Sequence, residues 1–399
     1  MGIAGSSASP VLMALHRVGP YHDARFEVAS VGWQHPLVVL ETRPASQEYP
    51  WSAGQSQRSY QLLRLKGALD PEQDPPLFCM RQQLQKLVCQ LSPAVIVTVG
   101  WADSSYLELL RIGQQQNIPL VVISDSRKVD TRRSFWKEWL KSQLLRGYSA
   151  SLVAGTQSRQ YLLELGFRPE AIFQPWDVVD NQRFTQLALQ TRTQSTDQRP
   201  FLCVARLIPE KNHKLLIEAY RAYQQGGGSR ALMLVGDGSL RHEIQRYCTD
   251  VPDPGKILIV PFEQLESLSA RYANAHALIL SSRKDTWGLV VNEAMASGLP
   301  VIVSDACGCA MDLIRDGVTG WQFQSDQPEA LLACLLQADR QTPDARRRMV
   351  DLARARLADF SLDTFAQGLH LACKHAINSH SSSRLSQLLA GVLTKSRPT

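Results

Sequence analysis

The chain has 399 residues, 44% of them hydrophobic and 20% charged, with a formal net charge of +6. That length exceeds one ordinary hydrophobic core and suits two domains, and the composition excludes disordered and fibrous classes. The positive excess is mild and lacks Lys/Arg runs interleaved with aromatics, which argues against nucleic acid, yet it suits a phosphorylated small molecule or an anionic lipid surface.

The eight cysteines are scattered without the spacing of a small disulfide framework, so reduced thiols are expected. Cys307 and Cys309 form the one close pair, and the two further ligands of a zinc site are missing from the sequence around them. No apolar stretch approaches the roughly 18 residues of a membrane span, and the N-terminus lacks a signal-peptide pattern. A cytoplasmic protein is therefore expected. The opening Met1-Gly-Ile-Ala-Gly-Ser6 fits the short myristoylation pattern, which matters only in a eukaryote.

Residues 10–15 form the first predicted strand, followed by His16-Arg-Val-Gly-Pro-Tyr-His22 and a helical run over 23–30. A glycine between a first strand and a helix marks where a doubly wound sheet receives its ligand, so Gly19, Tyr21 and His22 are candidate cleft residues. For His22 a helix-capping or surface role competes with that reading. Residues 37–40 are a second strand, and the stretch that follows, with Tyr49-Pro-Trp51 and Pro71 to Pro76, reads as loop. Helix 77–91, strand 94–99, helix 105–116 and strand 120–124 then alternate, which predicts a parallel sheet with helices on both faces. Ser124 and Asp125, at the carboxyl end of the last strand, belong to the predicted cleft.

Residues 128–146 carry Phe135, Trp136, Trp139, Leu140, Leu144 and Leu145 at helical spacing, with Lys and Arg between them. Two readings fit: a face that meets a membrane or a lipid-linked acceptor, or a core-facing helix with solvated charges. Strand 150–154, helix 157–165 and a short strand near 171–173 complete the first half. Residues 185–199 are rich in Gln and Thr without apolar periodicity and read as a linker. The predicted division is a first domain over 1–185, linker 186–199, second domain 200–375 and a tail over 376–399 that frays.

The second half restarts with strand 201–205, then Arg206 and Lys211, then helix 214–223. Gly226-Gly-Gly228 reads as a turn, since no Gly-Lys-Ser/Thr follows. Strand 231–235 ends in Gly236-Asp-Gly238, where Arg241 stands in place of the third glycine of a dinucleotide fingerprint. After helix 240–247 and strand 257–260, apolar runs at 277–280 and 301–303 flank the helix former-rich segment 289–297, a βαβ unit closed by Gly298 and Pro300. Gly288 allows a tight turn before amides that have no partner within their helix. Asp285 and Glu293, eight positions apart, can face one cleft beside that anion seat, as a nucleotide sugar would require. Carboxylates that complement a helix dipole and a glycine that only makes a turn are the plainer reading.

Arg206 with Lys211, Val235-Gly-Asp-Gly238, the Asp285 and Glu293 pair, and Asp316-Gly-Val-Thr-Gly320 stand in the order and spacing of one group. Residues from about Phe201 to Phe323 resemble the nucleotide-sugar-binding domain of family 4 glycosyltransferases, which have the GT-B fold. The first half resembles the acceptor domain more loosely, through Val18-Gly-Pro-Tyr-His22. The resemblance implies an α/β protein of two Rossmann-like, doubly wound parallel-sheet domains facing across a cleft, and a hexosyltransferase-type activity toward a hydroxyl of a glycan, lipid-linked or small-molecule acceptor. It implies that Arg206 and Lys211 hold the donor diphosphate, that Glu293 accepts hydrogen bonds from the ribose, and that Asp285, with the amides around Gly288, Leu289 and Val290, holds the transferred sugar and phosphate. It also places Pro261 and Phe262, after Val260, against the nucleobase. Transfer in the family mostly retains anomeric configuration. No resident cofactor is implied, the nucleotide-diphosphate sugar being a co-substrate, and the absence of Asp-x-Asp predicts no divalent metal.

Two departures stand out. Asp285 replaces the usual Glu, and Ser124 with Asp125 occupies the place where some members carry a histidine. The loop with Cys307, Cys309 and Asp312 is glycine-rich with a carboxylate in many relatives, which favours a structural role for the thiols. An epimerase or phosphorylase of the same fold is the nearest rival reading. A nicotinamide-dependent oxidoreductase is a more distant one, because no Gly-x-Gly-x-x-Gly follows either first strand. A non-catalytic sugar-nucleotide-binding subunit is opposed chiefly by the intact Arg206 and Lys211 pair.

Overall fold

The computed structural model describes residues 8–43, 57–65, 77–131, 133–193 and 199–396. They form two compact units, one of Met1–Val178 with Leu362–Thr399 and the other of Val179–Ser361.

The first unit runs β1 (Val11–Leu15), α1 (Pro20–Ser30), β2 (Leu37–Glu41), β3 (Gln61–Arg64), α2 (Leu77–Leu91), β4 (Val95–Val99), α3 (Ser104–Gln116), β5 (Leu120–Ser124), α4 (Phe135–Leu145), β6 (Ala150–Val153), α5 (Thr156–Glu164) and β7 (Ile172–Phe173). Its strands are all parallel, in the order β3-β2-β1-β4-β5-β6-β7. The central strands are continuous aliphatic runs, buried throughout in β1 and β5, as expected for a sheet covered by helices on both faces. The order reverses between β1, which pairs Val11 with Leu37 on one side, and β4, which meets the same residue through Val95. The loops after β1, β4 and β5 therefore open at a topological switch point.

The second unit runs α6 (Asn181–Thr191), β8 (Phe201–Val204), α7 (His213–Gln225), β9 (Leu232–Val235), α8 (Arg241–Thr249), β10 (Ile257–Val260), α9 (Leu265–Ala273), β11 (Ala277–Leu280), α10 (Leu289–Ala296), β12 (Val301–Ser304), α11 (Ala310–Leu313), β13 (Trp321–Phe323), α12 (Pro328–Asp339) and α13 (Pro343–Leu357). Its strands are again all parallel, in the order β10-β9-β8-β11-β12-β13. Phe201, Tyr220, Tyr223, Leu234, Ile279 and Ile302 are among the residues that fill its core. The βαβ unit expected around residues 277–303 is β11-α10-β12.

The chain then returns to the first unit with α14 (Leu362–Asn378) and α15 (Arg384–Ser396). Helix α14 packs on α1 and across β4, β5, β6 and β7. Gly368 permits the close approach, because a Cβ there would lie 2.9 Å from the carbonyl oxygen of Gln174. Helix α15 packs on α3 and α4, and Ser386 Oγ donates to the carbonyl of Leu144 at 2.8 Å.

These features correct four expectations. The division between units falls at Val178 and Val179, not at residue 185, and residues 362–375 complete the first unit instead of the second. Residues 185–191 of the expected linker belong to α6, because Phe184 and Ala188, one turn apart, give that Gln-rich segment a buried edge against α9 and α10. The tail expected to fray is α15, held by the buried Ala390. Within the expected loop, residues 61–64 form the edge strand β3, while Tyr49-Pro-Trp51 and Pro71 to Pro76 lie outside the described residues. Among the described residues no helix is long and apolar enough to cross a membrane.

Candidate active site

In the second unit the candidate residues gather on loops at the carboxyl ends of β8, β9, β10 and β11. The turn Gly236-Asp-Gly238 lies directly on the segment after β8. A Cβ on Gly236 would fall 2.0 Å from the carbonyl oxygen of Ala205, and one on Gly238 would fall 2.4 Å from that of Leu207. Both glycines have positive φ, 147° and 159°, so any side chain there is both strained and obstructed. The resulting backbone bonds, Leu207 N to Asp237 O at 2.8 Å and Leu240 N to Leu207 O at 2.9 Å, fix the strand end from which the exposed Arg206 projects. Asp237 serves the same frame with its side chain, accepting from Phe262 N at 2.9 Å and from Arg241 Nη1 at 2.5 Å. That tie anchors the Val260-Pro261-Phe262 segment to the glycine turn.

Lys211 ends a short 3-10 turn over Pro209–Lys211 and is followed by Asn212 in the left-handed region at φ 53°. Three bonds clamp this turn to the loop after β11: Ser281 Oγ to Lys211 O at 3.0 Å, Arg283 N to Glu210 O at 2.9 Å and Arg283 Nη2 to Asn212 Oδ1 at 2.7 Å. Lys211 Nζ thereby reaches Asp285 Oδ2 at 2.5 Å, with side chains 16% and 13% exposed. Ser282 Oγ adds a longer contact to the same oxygen at 3.4 Å. The pair is sheltered but accessible, a cation and a carboxylate that each still face solvent in part.

Gly288 follows at φ 102°, with no room for a Cβ, which would lie 2.8 Å from Leu280 Cδ2. Leu289 and Val290 open α10 there, presenting first-turn amides without an intrahelical partner. Glu293, one turn further, is 1% exposed and accepts from Tyr272 Oη at 2.6 Å. Asp285 and Glu293 thus have separate partners: the first meets Lys211, and the second is fixed by α9.

The Cys307-Gly-Cys309 loop is explained by its backbone. Gly308 N donates to Asp285 O and Cys309 N to Trp287 O, each at 3.0 Å, so the loop pairs with the segment carrying Asp285 like a miniature ladder. A Cβ on Gly308 would lie 1.9 Å from Thr286 O. Both thiols are fully buried, and burial pushes that of Cys309 well above its ordinary range, which suits packing. Asp312 is also buried, in the short α11 that follows. Asp316 and Gly320 close a turn into β13, where Asp316 Oδ1 accepts from Gln322 N at 2.9 Å.

In the first unit, His16, Trp101, Asp103, Tyr106, Ser124, Asp125, Ser126 and Trp176 help to line a cavity of about 240 Å³ at the carboxyl ends of β1, β4 and β5. Ser124 is buried and accepts from Ser126 N through its hydroxyl at 3.2 Å, while Asp125 is partly exposed. Asp103 caps α3 by accepting from Ser105 N at 2.8 Å, and its other oxygen meets Arg43 Nη2 at 2.9 Å and His16 Nε2 at 3.2 Å. Burial pulls the Asp103 carboxyl upward, but hydrogen bonds from His16 and Ser105 and the charge of Arg43 outweigh it and hold the group well below the usual carboxylate range. His16 stacks on Tyr106 with ring centroids 5.2 Å apart.

Gly19, Tyr21 and His22 do not line this cavity. Gly19 is the N-cap of α1, Pro20 takes the first helical position, and His22 Nδ1 accepts from Gly19 N at 3.2 Å. Burial, with a smaller push from Arg25, takes His22 down to about 3, so the ring is neutral and can accept that bond. The structure thus gives His22 its capping role. The cavity residues His16, Asp103 and Trp176 were not singled out from sequence. The rule applied to Ser124, that a polar residue directly after a parallel strand faces the ligand side, finds His16 after β1 and Asp103 after β4 equally well.

Residues 188–356, all within the second unit, match the family described as "Glycosyl transferases group 1". An uncharacterized glycosyltransferase of Methanocaldococcus jannaschii is 27% identical over 135 residues, covering 34% of each chain. A GDP-mannose-dependent alpha-mannosyltransferase of Mycobacterium tuberculosis is 32% identical over 181 residues, covering 43% of this chain and 45% of the relative. The matched segment therefore spans about a third to under a half of these relatives' lengths. Among solved structures, HepE of Anabaena in complex with UDP superposes with a TM-score of 0.70 at 17% identity, over 90% of this chain and 98% of that one. That likeness is one of fold. Residues 188–356 thus resemble the glycosyl transferases group 1 family, and the two parallel sheets have the GT-B fold that HepE also has.

Proposed function

We propose that this protein transfers a hexosyl group from a nucleotide-diphosphate sugar to an acceptor hydroxyl, with retention of anomeric configuration and without a divalent metal. The observation that carries the reading is the Lys211 and Asp285 pair, held at 2.5 Å beside the N-terminus of α10, with Arg206 projecting from the neighbouring strand end. Arg206 and Lys211 are fixed cations suited to the charge that grows on a departing diphosphate, and the Leu289 and Val290 amides add dipoles of the same sign. A bound diphosphate would compete with Asp285 for Lys211, which would release a carboxylate to accept hydrogen bonds from sugar hydroxyls. Glu293, oriented by Tyr272, is the carboxylate that would accept from the ribose. Phe262, whose amide is tied to Asp237, would meet the base.

In the reaction the bond from the anomeric carbon to the phosphate oxygen breaks, and a bond from the acceptor oxygen forms on the same face. The hydroxyl proton passes to the departing phosphate oxygen, so no separate protein base is required. The cavity of the first unit, with indoles and carboxylates among its walls, suits a hydroxylated acceptor: Trp101 and Trp176 offer apolar faces, and Asp103 and Asp125 offer acceptors. The names of the relatives support a nucleoside diphosphate donor, since one depends on GDP-mannose and the HepE structure holds UDP.

A thermal-shift screen against UDP-, GDP- and ADP-sugars identifies the donor. With that donor, Lys211→Ala is expected to lower turnover by about 10²–10³ while the unfolding temperature without donor changes little. Full activity in that variant sinks the assignment. Nucleoside diphosphate released in quantity without any acceptor would instead point to another reaction of the same fold.

A further inference from the structure

Helix α4 divides into two parts with different partners. Its last turn is anchored by the buried Leu144 and Leu145, and one side of its first half by Glu138, which accepts from Tyr161 Oη at 2.7 Å and from Lys141 Nζ at 3.0 Å. The other side of the first half is not. Phe135 is 76% exposed, Trp136 74% and Trp139 44%, and Val129, in the short turn just before, is 74% exposed. At about 100° per residue the three aromatics fall within one arc of the helix, so they form a single face and not a scatter. Phe78 is the one further exposed large aromatic among the described residues. Nothing in the folded unit requires this concentration, because the inward side of α4 is secured by other residues.

The same segment carries charge. Residues 128–146 contain six Lys and Arg against two Asp and Glu, whereas the whole chain has an excess of only six. Lys137 is exposed outside the aromatic arc, about 100° round the helix from Trp136, whereas Arg146, exposed at the far end of the helix, falls within it, and Lys128, paired with Glu164, keeps a side chain 63% exposed. The covering partner must therefore accept large apolar rings and supply negative charge around them. A second copy of this chain would set the positive patch against itself. An anionic lipid leaflet supplies both needs, because indole and phenyl rings favour the boundary between head groups and acyl chains while lysines reach the phosphate layer.

We propose that the exposed aromatic face of α4 docks the protein on a bilayer surface containing anionic lipid, with Phe135, Trp136 and Trp139 inserted at the head-group boundary and Lys128 and Arg146 at the phosphates. The docking is independent of the transfer chemistry, and its test does not use activity. The full chain is sedimented with extruded vesicles of phosphatidylcholine alone and of phosphatidylcholine mixed with phosphatidylglycerol. Binding is expected to be roughly tenfold tighter on the mixed vesicles and to weaken with added salt. The triple variant Phe135→Ser, Trp136→Ser, Trp139→Ser is expected to bind at least about tenfold more weakly, and Arg146→Glu to lose part of the anionic preference, both with an unchanged unfolding temperature. The proposal is overturned by wild-type protein that stays in the supernatant with both vesicles, by a triple variant that binds like wild type, or by a wild-type dimer in sedimentation velocity that the triple variant converts to monomer.

Discussion

At the scale of single residues, Gly236 and Gly238 shape the loop after β8 by what they lack. Each presses its α-carbon against a carbonyl of the segment after β8, and that contact decides where Arg206 leaves the strand. Gly236→Ala must push Ala205 away or rotate out of its positive φ. It is expected to cost about 1–3 kcal/mol of stability, read from urea unfolding, and to weaken nucleotide-sugar binding more than a surface Gly→Ala at Gly227 does. Equal stability and affinity in both variants would show that the two loops tolerate separation. Gly236 and Gly238 were visible in the sequence as a motif, but their reason was not. A glycine that admits a neighbouring carbonyl looks the same in sequence as one that makes a turn. Asp285 and Glu293 show the converse case. Their spacing suggested a shared cleft, and it could not show the partners that hold them, Lys211 and Tyr272, which are distant in sequence.

At the scale of elements, the legible parts are those with strong local pattern. Aliphatic runs gave the strands of both sheets, and α2 and β5 have the expected limits. The elements that escaped are short or have one-sided patterns. Strand β3 is an edge strand with Gln and Arg at its ends, both exposed, so it lacks the apolar run of its neighbours. Helix α6 hides its two buried residues among Gln and Thr, and α15 follows a serine-rich stretch that reads as coil. Helix α4 buries Leu144 and Leu145 and leaves Phe135, Trp136 and Trp139 exposed, so its apolar spacing in the sequence does not mark a wholly core-facing helix.

Helix α3 offers a pH test at this scale, because its cap, Asp103, is also a carboxylate in the wall of the first unit's cavity. Asp103→Asn keeps a good N-cap while removing the charge that His16 and Arg43 share. A carboxyl depressed in the folded state stabilises above its unfolded pKa of about 4 and loses that contribution as pH falls toward the folded value. Wild type is therefore expected to exceed Asp103→Asn by about 1–3 kcal/mol at pH 7, with the gap closing below about pH 4. A gap that persists unchanged to the lowest pH reached would remove the ion pair from the account of this loop.

At the scale of the molecule, the two sheets and their all-parallel order were legible, while the path of the chain between them was not. The cause is that α14 is amphipathic, and an amphipathic helix declares that it covers a sheet without declaring which one. Its contacts assign it to the first unit. Two fragments follow from that path. Residues 179–361 contain every element of the second sheet and its flanking helices, and are expected to unfold cooperatively and to keep donor binding. Residues 1–361 lack the cover of β4 through β7 and are expected to bind a hydrophobic dye and to elute as aggregates. A monomeric, compact 1–361 fragment would show that α14 and α15 are ornaments.

The return of the chain also sets a timetable. During synthesis the seven strands of the first unit emerge before residues 179–361, and α14 emerges after them. The nascent protein must carry one uncovered sheet face through the making of an entire second unit, with Leu152 exposed where Gly368 later packs. Its greatest demand on holding chaperones therefore falls on the ribosome, before the last helices appear, and slowing translation within residues 179–361 would lengthen that exposure without altering the finished protein.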